Sequence, residues 1–184
     1  MWKVTVSKDY THKLLALIYQ FDPADYVQDR KWIWLVLACA VLVLDQVTKW
    51  LVVANMGLFD SIEVMAVLNI TRVHNEGAAF SFLAGAGGWQ RWFFVLLALV
   101  VSGFVLTWMG QAYYWQRGLL LSLSLVLGGA LGNALDRLIY GYVIDFVDVH
   151  YSGWHWPTFN VADAAIVTGA VLFVFVTLRK MDRE

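Results

Sequence analysis

Four stretches of this sequence are long and apolar enough to cross a lipid bilayer as helices, and that feature constrains the fold more than any other. Hydrocarbon offers the backbone no hydrogen-bond partner, so a spanning segment closes its own bonds as a helix of about 20 residues. The stretches run over residues 32–53, 92–109, 119–138 and 160–178. Composition agrees, because 60% of the 184 residues are hydrophobic and only 15% are charged, against about 25% charged in soluble domains. Mean hydropathy is +0.63. The reading is an α-helical integral membrane protein with four transmembrane helices. A net charge of −1 supplies no basic surface and excludes nucleic acid as a partner. With Cys39 as the only cysteine, no internal disulfide or thiolate metal cluster can form. Val36-Leu37-Ala38-Cys39 has some likeness to a lipid-attachment box. Only residues 32–36 separate it from Lys31, too short an apolar run for a signal peptide. Cys39 therefore reads as an ordinary span residue.

Positive residues are retained on the cytoplasmic side, which sets the orientation. Lys3, Lys8, Lys13, Arg30, Lys31, Arg117, Arg179, Lys180 and Arg183 collect on one side, and the opposite loops hold only Arg72 and Arg91. Both termini are expected in the cytoplasm, with loops 54–91 and 139–159 on the outer side. Residues 1–31 form a cytoplasmic N-terminal extension, where Leu14, Leu15, Leu17, Ile18 and Phe21 beside His12 and Lys13 suit a helix lying in the membrane interface. Asp22-Pro23 breaks it before the first span, and residues 179–184 form a short tail. In the first outer loop, residues 63–73 have the branched, apolar character of strands, so a small extracytoplasmic sheet is expected there. The Gly-rich stretch ending at Gly88 reads as a flexible turn that lets the loop act as a lid.

An ionisable group within a span costs at least about 2.5 kcal/mol on insertion scales, so each needs a partner or a role. Here such groups gather at one end. Asp45 and Lys49 lie in the outer half of the first span, Asn133, Asp136 and Arg137 at the end of the third, and Asn160 and Asp163 at the start of the fourth. Asp145 and Asp148 lie in the last outer loop. Asp45 and Lys49 stand at i and i+4, as do Asn133 and Arg137, and Asn160 and Asp163 stand at i and i+3. Each pair alone is satisfied by a structural role, as a neutralised charge or an interhelical hydrogen bond. Gly128 and Gly132 have GxxxG spacing for close helix contact, and Asp136 reads as ion-paired with its neighbour Arg137. Asp148 reads as solvated.

Two carboxylates facing one water can hydrolyse an amide if they share a proton. The ionised one takes a proton from water while the neutral one polarises the carbonyl. Asp145 and Asp163 are the candidates, since a loop of this length folds back readily. Other catalytic sets fail on inventory. No His-Glu-x-x-His pattern is present, and His150 and His155 lie on an aromatic loop with the character of an interfacial belt. No Gly-x-Ser-x-Gly elbow is present, and Ser122 and Ser124 are expected to bond another helix.

The constellation resembles lipoprotein signal peptidase, or signal peptidase II, a family of bacterial inner-membrane aspartyl endopeptidases. Five blocks in order carry the resemblance across most of residues 32–178: Leu44-Asp45-Gln46-Val47-Thr48-Lys49, Asn75-Glu76-Gly77-Ala78-Ala79-Phe80-Ser81, the stretch from Gly128 through Asp136-Arg137, Gly141-Tyr142-Val143-Ile144-Asp145-Phe146, and Phe159-Asn160-Val161-Ala162-Asp163. The resemblance implies that Asp145 and Asp163 are the catalytic pair and that Asp45, Lys49, Asn75, Gly77, Asn133, Asp136, Arg137 and Asn160 bind substrate or support the site. It implies cleavage before a cysteine carrying diacylglycerol, with no metal or organic cofactor, and inhibition by cyclic peptides of the globomycin type. It also implies an outer β-cradle and an interfacial helix between the first two spans. The N-terminal extension departs from the family pattern.

Two other classes fit the sequence less well. A proton-coupled transporter needs polar groups through the whole membrane depth, and the inner halves of these spans nearly lack them. A noncatalytic assembly subunit leaves Asp145 and Asp163 without a purpose. A site built within one four-span bundle requires no second subunit, so a monomer is expected.

Overall fold

The computed structural model describes residues 32–77, 87–113 and 116–181. The N-terminal extension, with its expected interfacial helix, lies outside the described residues. So do residues 78–86 of the outer loop between the first two spans, including part of the expected glycine turn; the expected interfacial helix of that loop is not seen among its described residues.

The elements in chain order are α1 (Trp32–Asn55), β1 (Ser61–Met65), β2 (Leu68–Asn75), α2 (Trp89–Gln111), α3 (Arg117–Ile139), β3 (Val143–Tyr151), β4 (Trp154–His155) and α4 (Val161–Met181). All four helices are long and apolar enough to cross a membrane. The second starts at Trp89, ahead of the expected Trp92. Gly87 and Gly88 adopt φ of 84° and 95°, a left-handed pair that glycine takes without strain and that turns the chain directly into the helix.

α3 is the hub, packed against each of the other three helices. Its small residues explain why. A side chain at Gly128 would meet the Ala38 carbonyl of α1 at 2.5 Å, and one at Gly129 would strike the Ala162 carbonyl of α4. Backbones can approach that closely only where side-chain bulk is missing, and in lipid such packing replaces the hydrophobic effect between helices. At one end of the bundle Ala38, Val105, Met109, Leu120, Leu123 and Leu127 form an apolar cluster. The other end is polar. Ser122 and Ser124 bond the carbonyls of Leu119 and Leu120 in their own helix, both at 2.7 Å, and not another helix as expected. An i−3 or i−4 carbonyl of the same helix satisfies such a hydroxyl without a partner across the bundle.

The outer loops join in one antiparallel sheet of order β1-β2-β3-β4. The sheet expected from the first loop is thus completed by two strands from the last. Val73 pairs with Asp145 and Asn75 with Val143, after a bulge in β2 between Ile70 and Val73. That register sets the end of β2 beside Asp145.

Candidate active site

The polar end is built outward from α1. Asp45 and Lys49 share a helix face, and their ion pair is 2.8 Å long. The same ammonium lies 2.9 Å from Asp136 and 3.0 Å from the Asn133 side-chain oxygen on α3. All three ammonium protons are therefore used, with Asp45, Lys49 and Asp136 almost wholly buried. Asp136 does not pair with Arg137, contrary to the sequence reading. Successive residues on a helix point to different sides, and the side facing α1 belongs to Asp136.

Both carboxylates then reach past Lys49. Asp45 accepts the backbone N–H of Ala162 at 2.9 Å, and Asp136 accepts that of Ile144 at 3.1 Å. Those are the residues immediately before Asp163 and Asp145. Gln46, to which the sequence reading gave no role of its own, also belongs to this cluster. Its amide donates to Asp136 at 2.8 Å and approaches Asp45 and the Gly132 carbonyl at 3.2 Å each. The available signal was an uncharged amide in a membrane helix, which needs partners as a charge does.

Asp145 and Asp163 meet through Asn160. The Asn160 side-chain amide donates to Asp145 at 2.7 Å, its side-chain oxygen accepts the Asp163 backbone N–H at 2.9 Å, and its own backbone N–H points to the Asp163 carboxylate at 3.3 Å. The last two bonds form a reciprocal capping box, so Asn160 precedes α4 as its cap instead of starting it. Asn75 donates to the second oxygen of Asp145 at 2.9 Å, and Asn133 donates to Asp163 at 2.7 Å. Each acid thus receives an amide from one further asparagine, while Asn160 serves both. Burial, and then the charge of Asp163, push the Asp145 carboxyl up to about 7 despite the Asn75 and Asn160 hydrogen bonds.

Arg137 closes the rim. It donates to the carbonyls of Gly77 at 2.7 Å and Asn133 at 3.2 Å, and its guanidinium stands 4.8 Å over the Phe94 ring. Asn75 in turn accepts the Gly77 N–H at 3.0 Å, which fixes the turn after β2. All ten residues expected at the site therefore gather at this end of the bundle. Beside them opens a cavity of ≈ 590 Å³, whose polar end is Asn75, Asn133, Arg137 and Asp163 and whose remaining wall includes Phe159, Ile166 and Val167.

Asp148 is not solvated, contrary to expectation. It lies three residues beyond Asp145 on a regular stretch of strand, hence on the opposite face of the sheet. There its carboxylate meets His155 at 2.7 Å and accepts hydrogen bonds from Asn69 and Thr71, both at 3.3 Å. Burial raises its carboxyl, but the bonds from His155, Asn69 and Thr71 outweigh that and hold it below the ordinary carboxylate value. His150 stacks on His155 with ring centroids 5.1 Å apart and contacts Asn69 at 3.2 Å, so both histidines belong to a hydrogen-bonded network.

Residues 37–179 match the family model described as signal peptidase (SPase) II. The chain belongs to the signal peptidase II family. A lipoprotein signal peptidase of Alteromonas mediterranea is 46% identical over 154 residues, covering 84% of each chain. That of Polynucleobacter necessarius is 48% identical over 147 residues, covering 80% of this chain and 90% of the relative. Among solved structures, a bacterial membrane enzyme determined by the in meso method at 2.3 Å resolution superposes with a TM-score of 0.75 at 32% identity, over 83% of this chain and 91% of its own. Every site residue of this signal peptidase II family member falls inside the matched range.

Proposed function

We propose that this membrane peptidase removes the signal peptide from diacylglyceryl-modified prolipoproteins, cutting before the lipidated cysteine with water held between Asp145 and Asp163. The observation that carries the reading is the Asn160 bridge, which joins both carboxyls to one residue, Asp145 through its side-chain amide and Asp163 through its backbone N–H. Asp145 holds the shared proton at neutral pH, in keeping with its raised pKa of about 7. Asp163 is the ionised partner at the start of α4, where the helix dipole and the hydrogen bonds from Asn133 and the Asn160 backbone N–H favour an anion. It takes a proton from water as the oxygen attacks the peptide carbonyl, while Asp145 gives its proton to the carbonyl oxygen. Collapse of the tetrahedral intermediate expels the amine of the lipidated cysteine with the proton held by Asp163, returns a proton from the intermediate's hydroxyl to Asp145, and leaves the signal peptide with a new carboxyl group.

Geometry near lipid suits this chemistry. Both substrate tails prefer hydrocarbon, while hydrolysis needs water, and the cavity joins a polar end to an apolar wall. A peptide unwound at the scissile bond needs new partners for its backbone. Asn75, Asn133 and Arg137 line the cavity and offer them, whereas Asp45, Lys49, Asp136 and Gly77 hold the framework. Cyclic peptides of the globomycin type would occupy the same cavity. The enzyme works as a monomer in the bacterial inner membrane, with both termini cytoplasmic and the site near the periplasmic face. The Lys and Arg bias supports that orientation.

The test is cleavage of a diacylglyceryl-modified prolipoprotein by purified enzyme in detergent. Asp145→Asn and Asp163→Asn should each fold and lose at least about a hundredfold in rate. Near-normal turnover by either folded variant would overturn the pair. Binding of lipidated substrate by wild type without any cleavage would make the protein a binding module.

A further inference from the structure

Thr168 lies five residues beyond Asp163 on α4 and lines the same cavity. At about 1.5 Å per residue it stands roughly 7.5 Å deeper along the helix. Among the α4 residues lining the cavity beyond Asp163, namely Ala164, Ile166, Val167 and Thr168, it alone carries a polar side chain. Its hydroxyl makes no hydrogen bond among the described residues. Thr48 and Thr107, by contrast, return theirs to the carbonyls of Leu44 and Gly103 at 2.9 and 2.8 Å. Thr177 also makes none, but it lies beside Arg179 at the opposite end of α4, where water and headgroups are at hand. Thr168 is exposed on the cavity wall, and a substrate that fills the cavity and displaces water leaves its hydroxyl the choice of the Ala164 carbonyl one turn back or an acceptor on the substrate.

We propose that Thr168 is a specificity residue that donates its hydroxyl to an ester carbonyl of the substrate's diacylglyceryl group. The inference rests on the reading of Asp145 and Asp163 as the hydrolytic pair acting just before a lipidated cysteine. From the scissile carbonyl carbon, the path to an ester carbonyl carbon runs through the amide nitrogen, Cα, Cβ, sulfur, two glycerol carbons and the ester oxygen. Fully extended, those eight bonds span about 10 Å, and a modest bend brings the ester to the depth of Thr168. A signal-peptide carbonyl has the same acceptor chemistry. The peptide's helical part closes its own hydrogen bonds, however, and its unwound part lies level with the acids, so the ester is the acceptor left at this depth.

Two substrates separate these sources: a prolipoprotein carrying the diester lipid and one carrying a diether lipid of equal chain length, which lacks the carbonyls. Wild type should cut the diester with kcat/KM about fivefold higher, the worth of one ordinary hydrogen bond. Thr168→Val should slow only the diester and abolish the preference, and Thr168→Ser should restore it. Equal slowing of both substrates by Thr168→Val, or no preference in wild type, overturns the inference and leaves the hydrolytic reading standing. Wild type that cuts neither substrate overturns both.

Discussion

The Lys49 ammonium lies 3.0 Å from the Asn133 side-chain oxygen, and that bond turns the other end of the amide toward Asp163, 2.7 Å away. The same ammonium gathers Asp45 and Asp136, whose carboxylates accept the N–H groups of Ala162 and Ile144. One buried cation therefore sets the position of the residue before each acid of the pair, and orients an amide donor on one of them.

Replacing Lys49 by Met should leave two carboxylates buried without a cation. Breaking a buried pair from one side costs about 3–5 kcal/mol, so Lys49→Met should unfold at a markedly lower temperature in detergent and lose cleavage. Adding Asp45→Asn and Asp136→Asn removes the stranded charges and should recover much of the thermal midpoint without recovering activity. A single variant that melts with wild type would show that the ammonium does not hold these helices.

The proton on Asp145 gives the enzyme an alkaline limit. Its carboxyl is pushed up to about 7 by burial and by Asp163, so the folded chain binds this proton more tightly than the unfolded chain does. Its contribution to stability is accordingly greatest below the ordinary carboxylate value, falls as pH rises toward about 7 and levels off above. Activity that needs the proton should decline in proportion to proton concentration above the same point. Asn75→Ala removes a hydrogen bond that lowers the Asp145 value, so it should move the alkaline limb of kcat/KM to higher pH even as it reduces the rate. A limb that stays in place in Asn75→Ala would mean that some other group titrates there.

The four spans and the site residues were legible because the bilayer imposes both: a spanning helix must be apolar, and each polar exception must be answered. Helical spacing within one segment was enough to pair Asp45 with Lys49. It was not enough to find the partner of Asp136, since only the approach of α1 across Gly128 and Gly132 brings Lys49 there. The burial of Asp148 was hidden for a similar reason. Its neighbours Asn69 and Thr71 come from the other outer loop, and only the β2–β3 register sets them beside it. Gln46 carries no charge to mark it, although an amide has the same need for partners in a membrane.

Gln46 should be sensitive to charge more than to size. Gln46→Leu removes the donor on the Asp136 Oδ1 atom, and an unsatisfied buried acceptor costs about 1–3 kcal/mol. Gln46→Glu keeps the shape but adds a third carboxylate where Lys49 already balances two, so it should lower the midpoint of unfolding further than Gln46→Leu does. The ranking of the two midpoints, measured at neutral pH, checks the assignment. The reverse order would mean that the amide fills space and donates little.

Gly132 should tolerate no side chain, because a Cβ there would stand 2.6 Å from the Asp45 Oδ2 atom, the atom paired with Lys49, and 3.4 Å from the Ala162 Cβ. The carboxylate cannot move away without releasing either Lys49 or the Ala162 N–H. Overpacking of this kind costs about 1–3 kcal/mol, and here it also shifts the start of α4. Gly132→Ala should thus lower both the thermal midpoint and cleavage. Gly103→Ala, on α2, would place its new methyl group with nothing within 4 Å and should leave both near wild type. Matching behaviour of the two variants would mean that Asp45 moves freely, and that the contacts from Asp45 through Ala162 do not set the position of Asp163.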